Sequence, residues 1–181
     1  MTVTLGGAGL APHDHVCVLH RGRRQREELV LPFLSEGLEC GEPALFFTPT
    51  GESAAVRAAL GDPDNLELLE PEDSYVRAGA FEPDQVFEVM DTWARERLCG
   101  GDVFGRVVSD MSWAASITST NLVAEIIAEE QAGNGWCRSY NQVVICLFDL
   151  DLFGGDLVVP MIRSHPKTWL SGVVIENPGC V

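Results

Sequence analysis

Near the N-terminus His13, His15 and Cys17 alternate along the chain, so an extended strand would set all three on one face. Imidazole nitrogen and thiolate sulfur are the donors that zinc and its neighbours take in tetrahedral sites, and His20 or Cys146 could complete such a set. Same-strand i, i+2 ligands are less usual than loop or helix spacings. The competing expectation is a small core cysteine beside a histidine in a loose lead-in, and on balance no metal and no cofactor are expected. His15 and Cys17 can also be read as a reactive or ligand-touching pair. A thiolate needs a cationic neighbour to lower its pKa, whereas burial in an apolar strand raises it. Asp110 closes an apolar run and joins His15 and Cys17 as a catalytic candidate, with a loop-fixing role favoured for it.

A second constellation is basic. Arg21, Arg23, Arg24 and Arg26 crowd the turn between a candidate strand and a candidate helix. Positive charge at a helix N-terminus opposes the helix dipole, so local helix stability does not explain the cluster. An anionic ligand, an acidic partner or the protein's own acidic surface would. In a nucleotide-binding α/β protein this turn would be the phosphate loop, which needs spaced glycines followed by Lys and Ser/Thr. Here there is one glycine, Gly22, and no such pair. The turn resembles an ATPase-type unit whose ATP site is gone.

The elements that must position these groups follow from the apolar pattern. Strands are expected over residues 14–20, 44–48, 66–69, 105–113, 142–149 and 169–175. Helices are expected over 25–39, 54–60, 83–98, 118–131 and 157–164, with Pro32 bending the first and Gly100-Gly101 closing the third. Trp93 and Met90 read as helix core. Residues 1–12 read as a loose, glycine-rich lead-in to one domain spanning 13–181. Continuous apolar runs alternating with helices predict a mostly parallel sheet covered on both faces. Ligands of such sheets lie beyond the carboxyl ends of the strands, which picks out residues 20–26, 48–53, 110–113 and 148–151 as the rim.

Composition narrows the function classes. A net charge of −15 over 181 residues argues against direct nucleic-acid binding, which needs clustered Lys and Arg. There is no apolar run of membrane-spanning length and no signal-peptide pattern. Six scattered cysteines without a CxxC pair fit reduced thiols in the cytoplasm.

With these residues in hand, the chain resembles the MEDS domain, the sensory module of DcmR-type regulators. The resemblance rests on His-Val-Cys at 15–17 and Pro-Phe-Leu-x-Glu-Gly-Leu-x-x-Gly-Glu at 32–42. Three further blocks fit in order: Tyr75 to Phe81, Asp110-Met111-Ser112-Trp113-Ala114, and His165-Pro166 leading to Glu176-Asn177-Pro178. It implies a KaiC/RecA-like core that has lost nucleotide binding and senses small hydrocarbon-like molecules. The chain departs from the family in having His20 where members often carry an aromatic, in its Arg-rich loop, and in Phe148 where the family's Cys-x-Tyr-Asp has a phenol.

Three functions are therefore in view. The first is a sensory or regulatory module with an apolar pocket lined by His15, Cys17, His20, Trp113, Cys146, Phe148 and His165, signalling to a separate protein partner. The second is a stand-alone enzyme of small-molecule biosynthesis using the same pocket, with His15 as acid/base. The third is an interaction module whose Arg loop meets an acidic partner. Association into a homo-oligomer is compatible with each.

Overall fold

Residues 3–99, 102–117 and 119–180 are described by the structure, a computed structural model. Eleven strands and six helices follow one another in these segments. The chain opens with a hairpin, β1 (Val3–Leu5) and β2 (Ala8–Leu10), then β3 (His15–His20), α1 (Gly22–Glu39), β4 (Ala44–Phe47), α2 (Ser53–Leu60) and β5 (Leu66–Leu69). A single turn α3 (Pro71–Ser74) leads to a second hairpin, β6 (Val76–Arg77) and β7 (Ala80–Phe81), and to α4 (Pro83–Arg97). Strand β8 (Gly105–Asp110), a short 3-10 segment (Ser112–Ser116), α5 (Leu122–Cys137), β9 (Gln142–Asp149) and α6 (Gly155–Ser164) follow. The third hairpin is β10 (Lys167–Leu170) with β11 (Val173–Glu176).

Seven strands form the central sheet in the order β11-β10-β3-β9-β8-β4-β5, parallel except for the edge strand β11. The apolar runs behave as buried parallel strands should: β3, β4 and the first seven residues of β9 are buried on both faces. Val16, Val18, Phe46 and Ile145 meet α1 through Leu29, Val30, Phe33 and Leu34 on one face. Cys17, Leu19, Phe47, Val107 and Cys146 meet α4, α5 and α6 on the other, through Met90, Trp93, Ile126 and Met161. The predicted α/β class and mostly parallel sheet are thus what the chain forms.

Boundaries differ where turns were invisible in the pattern. Within the expected loose lead-in over 1–12, residues 3–10 are the β1–β2 hairpin, with Val3, Leu5 and Leu10 buried against α1 and Trp169; Met1 and Thr2 lie outside the described residues. The expected strand over 169–175 is a hairpin turning at Ser171-Gly172, both with positive φ, as two-residue hairpins of this hand require. The expected strand over 105–113 ends at Asp110. Helix α5 starts at Leu122 and runs to Cys137, past the expected stop at residue 131; Gly133 and Gly135 favour an early end, but packing on the sheet carries the helix through them. Thr118, Gly100 and Gly101, named in the expected helix boundaries, lie outside the described residues.

Candidate functional site

Four side chains from four elements meet inside the layer between the sheet and α5–α6. His15 is the first residue of β3 and Cys146 lies within β9; the register pairs His15 with Val144 and Cys17 with Cys146. His15 and Cys146 are therefore diagonal neighbours on one face. Glu130 comes down from α5. His165 follows α6, where Pro166 disfavours a helical conformation for the residue before it; His165 is extended, at φ −103 and ψ 140. The potential ligand atoms of His15, Glu130, Cys146 and His165 all lie within 4.8 Å of one another. All four residues are buried, with exposures of 3%, 2%, 4% and 0%.

The hydrogen bonds fix which ring nitrogen faces inward. Asn134 Nδ2 donates to the Ser164 carbonyl at 2.9 Å, so its Oδ1 is the atom 2.8 Å from His15 Nδ1. That nitrogen must therefore carry a hydrogen. His165 Nδ1 lies 2.8 Å from the Met161 carbonyl, which can only accept. Both Nε2 atoms then turn to the same carboxylate oxygen, Glu130 Oε2, at 3.2 Å from His15 and 3.1 Å from His165. His15 Nε2 also lies 3.4 Å from Cys146 Sγ. Glu130 Oε1 and His165 Nε2 are buried without a hydrogen-bond partner of acceptable geometry.

Electrostatics reflect this enclosure. Burial first, then the neighbouring His165, holds the His15 imidazole below its usual value. Burial alone would raise the Glu130 carboxyl, but the two imidazoles, His165 foremost, outweigh it and hold it below the ordinary carboxylate range. Burial, then the Glu130 charge, pushes the thiols of Cys17 and Cys146 well up. A small void of about 30 Å³ adjoins the cluster. His15, Glu130 and Cys146 line it on one side, and Val86, Met90, Val107 and Trp136 on another. Gly133 makes room for the imidazole, since a Cβ there would sit 3.3 Å from His15 Cε1.

The rim above the strand ends is a different place. A cleft of about 510 Å³ there is lined by His20, Arg23, Arg26, Glu52, Asp110, Trp113 and Asp149, among others. Its charges are paired within the chain. Arg26 bridges Asp110, at 3.2 Å, and Glu52. Arg21 meets Asp151 at 2.8 Å, Arg23 meets Glu27 at 2.7 Å, and Arg24 meets Glu28 at 3.4 Å. Asp149 accepts the backbone N–H of Gly22 at 3.0 Å and of Asp151 at 2.9 Å. A carboxylate of the chain thus occupies the N-terminus of α1, where an anion would be favoured. Asp110 Oδ1 also accepts from Ser112 N–H at 2.9 Å, which fixes the turn after β8.

The residues expected to share one pocket are therefore divided. His15, Cys146 and His165 come together inside; Phe148 packs edge-on to His165, with ring centroids 6.0 Å apart. Trp113 packs edge-on to Tyr75 and tilted against Phe81, and His20 sits in the cleft, its Nδ1 3.3 Å from the Gly22 carbonyl. Cys17 lies fully enclosed beside Cys146. It is not among the four clustered ligand atoms. His13 does not alternate with His15 on the strand: its φ is +70 and its Nδ1 meets the Cys137 carbonyl at 3.2 Å.

Sequence reading missed Glu130 and Asn134. The signal was available, for the inward positions of α5 run Leu122, Ile126, Glu130, Gly133, Asn134, Cys137. A glutamate on the core-facing stripe of a helix is rarely there without a partner.

Comparison with known proteins fits this architecture. The family model MEDS, the methanogen/methylotroph DcmR sensory domain, matches residues 14–166. The chain belongs to the MEDS family. It is 23% identical over 168 residues to the transcriptional repressor DcmR of Methylorubrum extorquens, covering 91% of this chain and 63% of that protein. This MEDS chain thus spans less than two thirds of that relative's length. A KaiC-like protein of Pyrococcus horikoshii superposes with a TM-score of 0.59 at 10% identity, over 87% of this chain and 70% of that one. The KaiC/RecA-like core expected from the sequence is the fold of the MEDS chain. Among the described residues no helix is long and apolar enough to cross a membrane.

Proposed function

We propose that this MEDS chain is a regulatory sensor of a small, weakly polar molecule. The ligand lies in the enclosed chamber beside His15, Glu130 and Cys146, and binding is relayed to a protein partner in the cytoplasm without ATP hydrolysis. The observation that carries the reading is the chamber itself, with polar groups on one wall and Val86, Met90, Val107 and Trp136 on another. A water needs roughly 10–15 Å³ by this measure, so about 30 Å³ admits a molecule of a few heavy atoms. The walls come from α4, α5 and the sheet, so an occupant alters how α4 and α5 pack. That is a route from ligand to surface. Occupation of the α1 N-terminus by Asp149, and the pairing of Arg21, Arg23, Arg24 and Arg26 within the chain, support the loss of nucleotide binding.

The test is a series of alkanes, alcohols and haloalkanes of one to four carbons, followed by melting temperature and amide NMR. The shortest members are expected to raise the melting temperature and shift the amides of Val86, Met90 and Gly133, while ATP gives no saturable response. Shifts confined to the cleft around Trp113 and Arg26, or tight ATP binding, overturn the reading.

A further inference from the structure

We infer that His15, Glu130, Cys146 and His165 form a binding site for a divalent transition ion, zinc by donor type. The inference deepens the reading above by naming what would hold a ligand in the chamber.

The argument is one of lone pairs. Both Nδ1 atoms are committed as donors, to Asn134 Oδ1 and to the Met161 carbonyl. In neutral rings both Nε2 lone pairs therefore face a carboxylate oxygen at 3.2 and 3.1 Å, acceptor against acceptor. With Glu130 ionised, one added proton does not resolve the cluster. If His165 is cationic and donates to Glu130, and the Cys146 thiol donates to His15, the His15 nitrogen still stands against Glu130 Oε2. Glu130 Oε1 also remains buried without a partner. A second imidazolium would place two like charges in the interior, with ring centroids 4.3 Å apart.

A cation at the centre accepts all four donors at once. Zinc–nitrogen and zinc–oxygen bonds of about 2.0–2.2 Å and zinc–sulfur bonds of about 2.3 Å imply donor separations of roughly 3.3–3.7 Å in a tetrahedron. The three close pairs here are 3.1, 3.2 and 3.4 Å, and small side-chain adjustments suffice. Charge closes as well: one carboxylate, one thiolate and two neutral imidazoles neutralise a divalent ion, so the buried centre carries no net charge. The thiol proton leaves to solvent as the metal–sulfur bond forms, one proton per ion. The outer contacts are those of ligating histidines, whose second nitrogen donates to an amide or backbone carbonyl and fixes the tautomer. Asn134 is then a positioning residue, holding His15 while anchored on the Ser164 carbonyl.

Because the site is enclosed, the ion enters as the chain folds. The test is elemental analysis of tag-free protein prepared without chelator, together with refolding in the presence of Co²⁺ and absorption spectroscopy. One ion per chain is expected, with visible bands of tetrahedral Co²⁺ and a near-ultraviolet thiolate-to-cobalt transition. Cys146→Ser is expected to remove the thiolate transition, His165→Gln to lower Co²⁺ affinity at least about tenfold, and Asn134→Ala by about 10–100-fold. Two results overturn the site: a cooperatively folded chain with neither ion nor cobalt spectrum, or a spectrum indifferent to both Cys146→Ser and His165→Gln. A metal-free chain whose chamber still takes the short-chain probes removes the ion and leaves the sensory reading standing.

Discussion

The two polar centres of this domain handle charge in opposite ways. At the rim above the strand ends Arg21 and the three arginines of the first turns of α1 each have a carboxylate of the same chain, and Asp149 fills the anion position at the start of α1. Inside the sheet–helix layer, two imidazoles converge on one carboxylate oxygen and leave buried atoms unpaired. The charges of the rim are paired by its own chain, and what is left unpartnered there among the described residues is the neutral indole nitrogen of Trp113. In the interior Glu130 Oε1 and His165 Nε2 are left so, and buried polar groups without partners are costly. The first centre lies beyond the carboxyl ends of the strands, the second between the sheet and α5–α6.

The sharpest way to break this contrast is Glu130→Ala. Removing the one carboxylate between two imidazoles is expected to cost about 3–5 kcal/mol, the cost of breaking a buried ionic contact from one side, measured by urea unfolding. A loss no larger than that of Arg26→Ala would mean the cluster is no more demanding than the rim. Next in size, Arg26→Ala strands the buried Asp110 carboxylate and is expected to cost about 2–3 kcal/mol, while Arg24→Ala, largely solvated on the same helix α1, stays within about 0.5 kcal/mol. Equal losses for the two arginines would contradict the pairing described.

The smallest effect is a pH dependence. Burial foremost holds the His20 imidazole below its ordinary 6.5. Below that value the unfolded chain binds the proton more readily than the folded one, so stability falls as pH drops from about 7 towards 5. His20→Gln is expected to flatten that part of the curve. Unfolding free energies at the two pH values that decline in parallel for both proteins would contradict it.

Much of the scaffold was legible because its signals are local. The apolar runs at 44–47 and 142–149 are strands whatever surrounds them, and Pro83 with its periodic Val86, Met90 and Trp93 starts a helix on capping and period alone. The hairpins were not legible: Gly6-Gly7 read as looseness and Ser171-Gly172 as the middle of a strand until positive φ and strand partners made them turns. Helix α5 was cut short because Gly133 and Gly135 weaken a helix, and packing outweighs that local preference. Losing its last turn and a half hid Asn134, and with it the group that sets the tautomer of His15.

Residue type and order by themselves determined an α/β core of mostly parallel strands, and they marked His15, Cys146 and His165 as residues able to do chemistry. Tertiary structure alone decided which of the marked residues meet, since His15 and Cys146 stand 131 positions apart and become diagonal neighbours only through the β3–β9 register. It also supplied Glu130, whose place on a core-facing stripe becomes chemistry only when α5 lies over that strand pair. Period and propensity act over a few residues; the convergence of four lone-pair donors is set by how the layers stack.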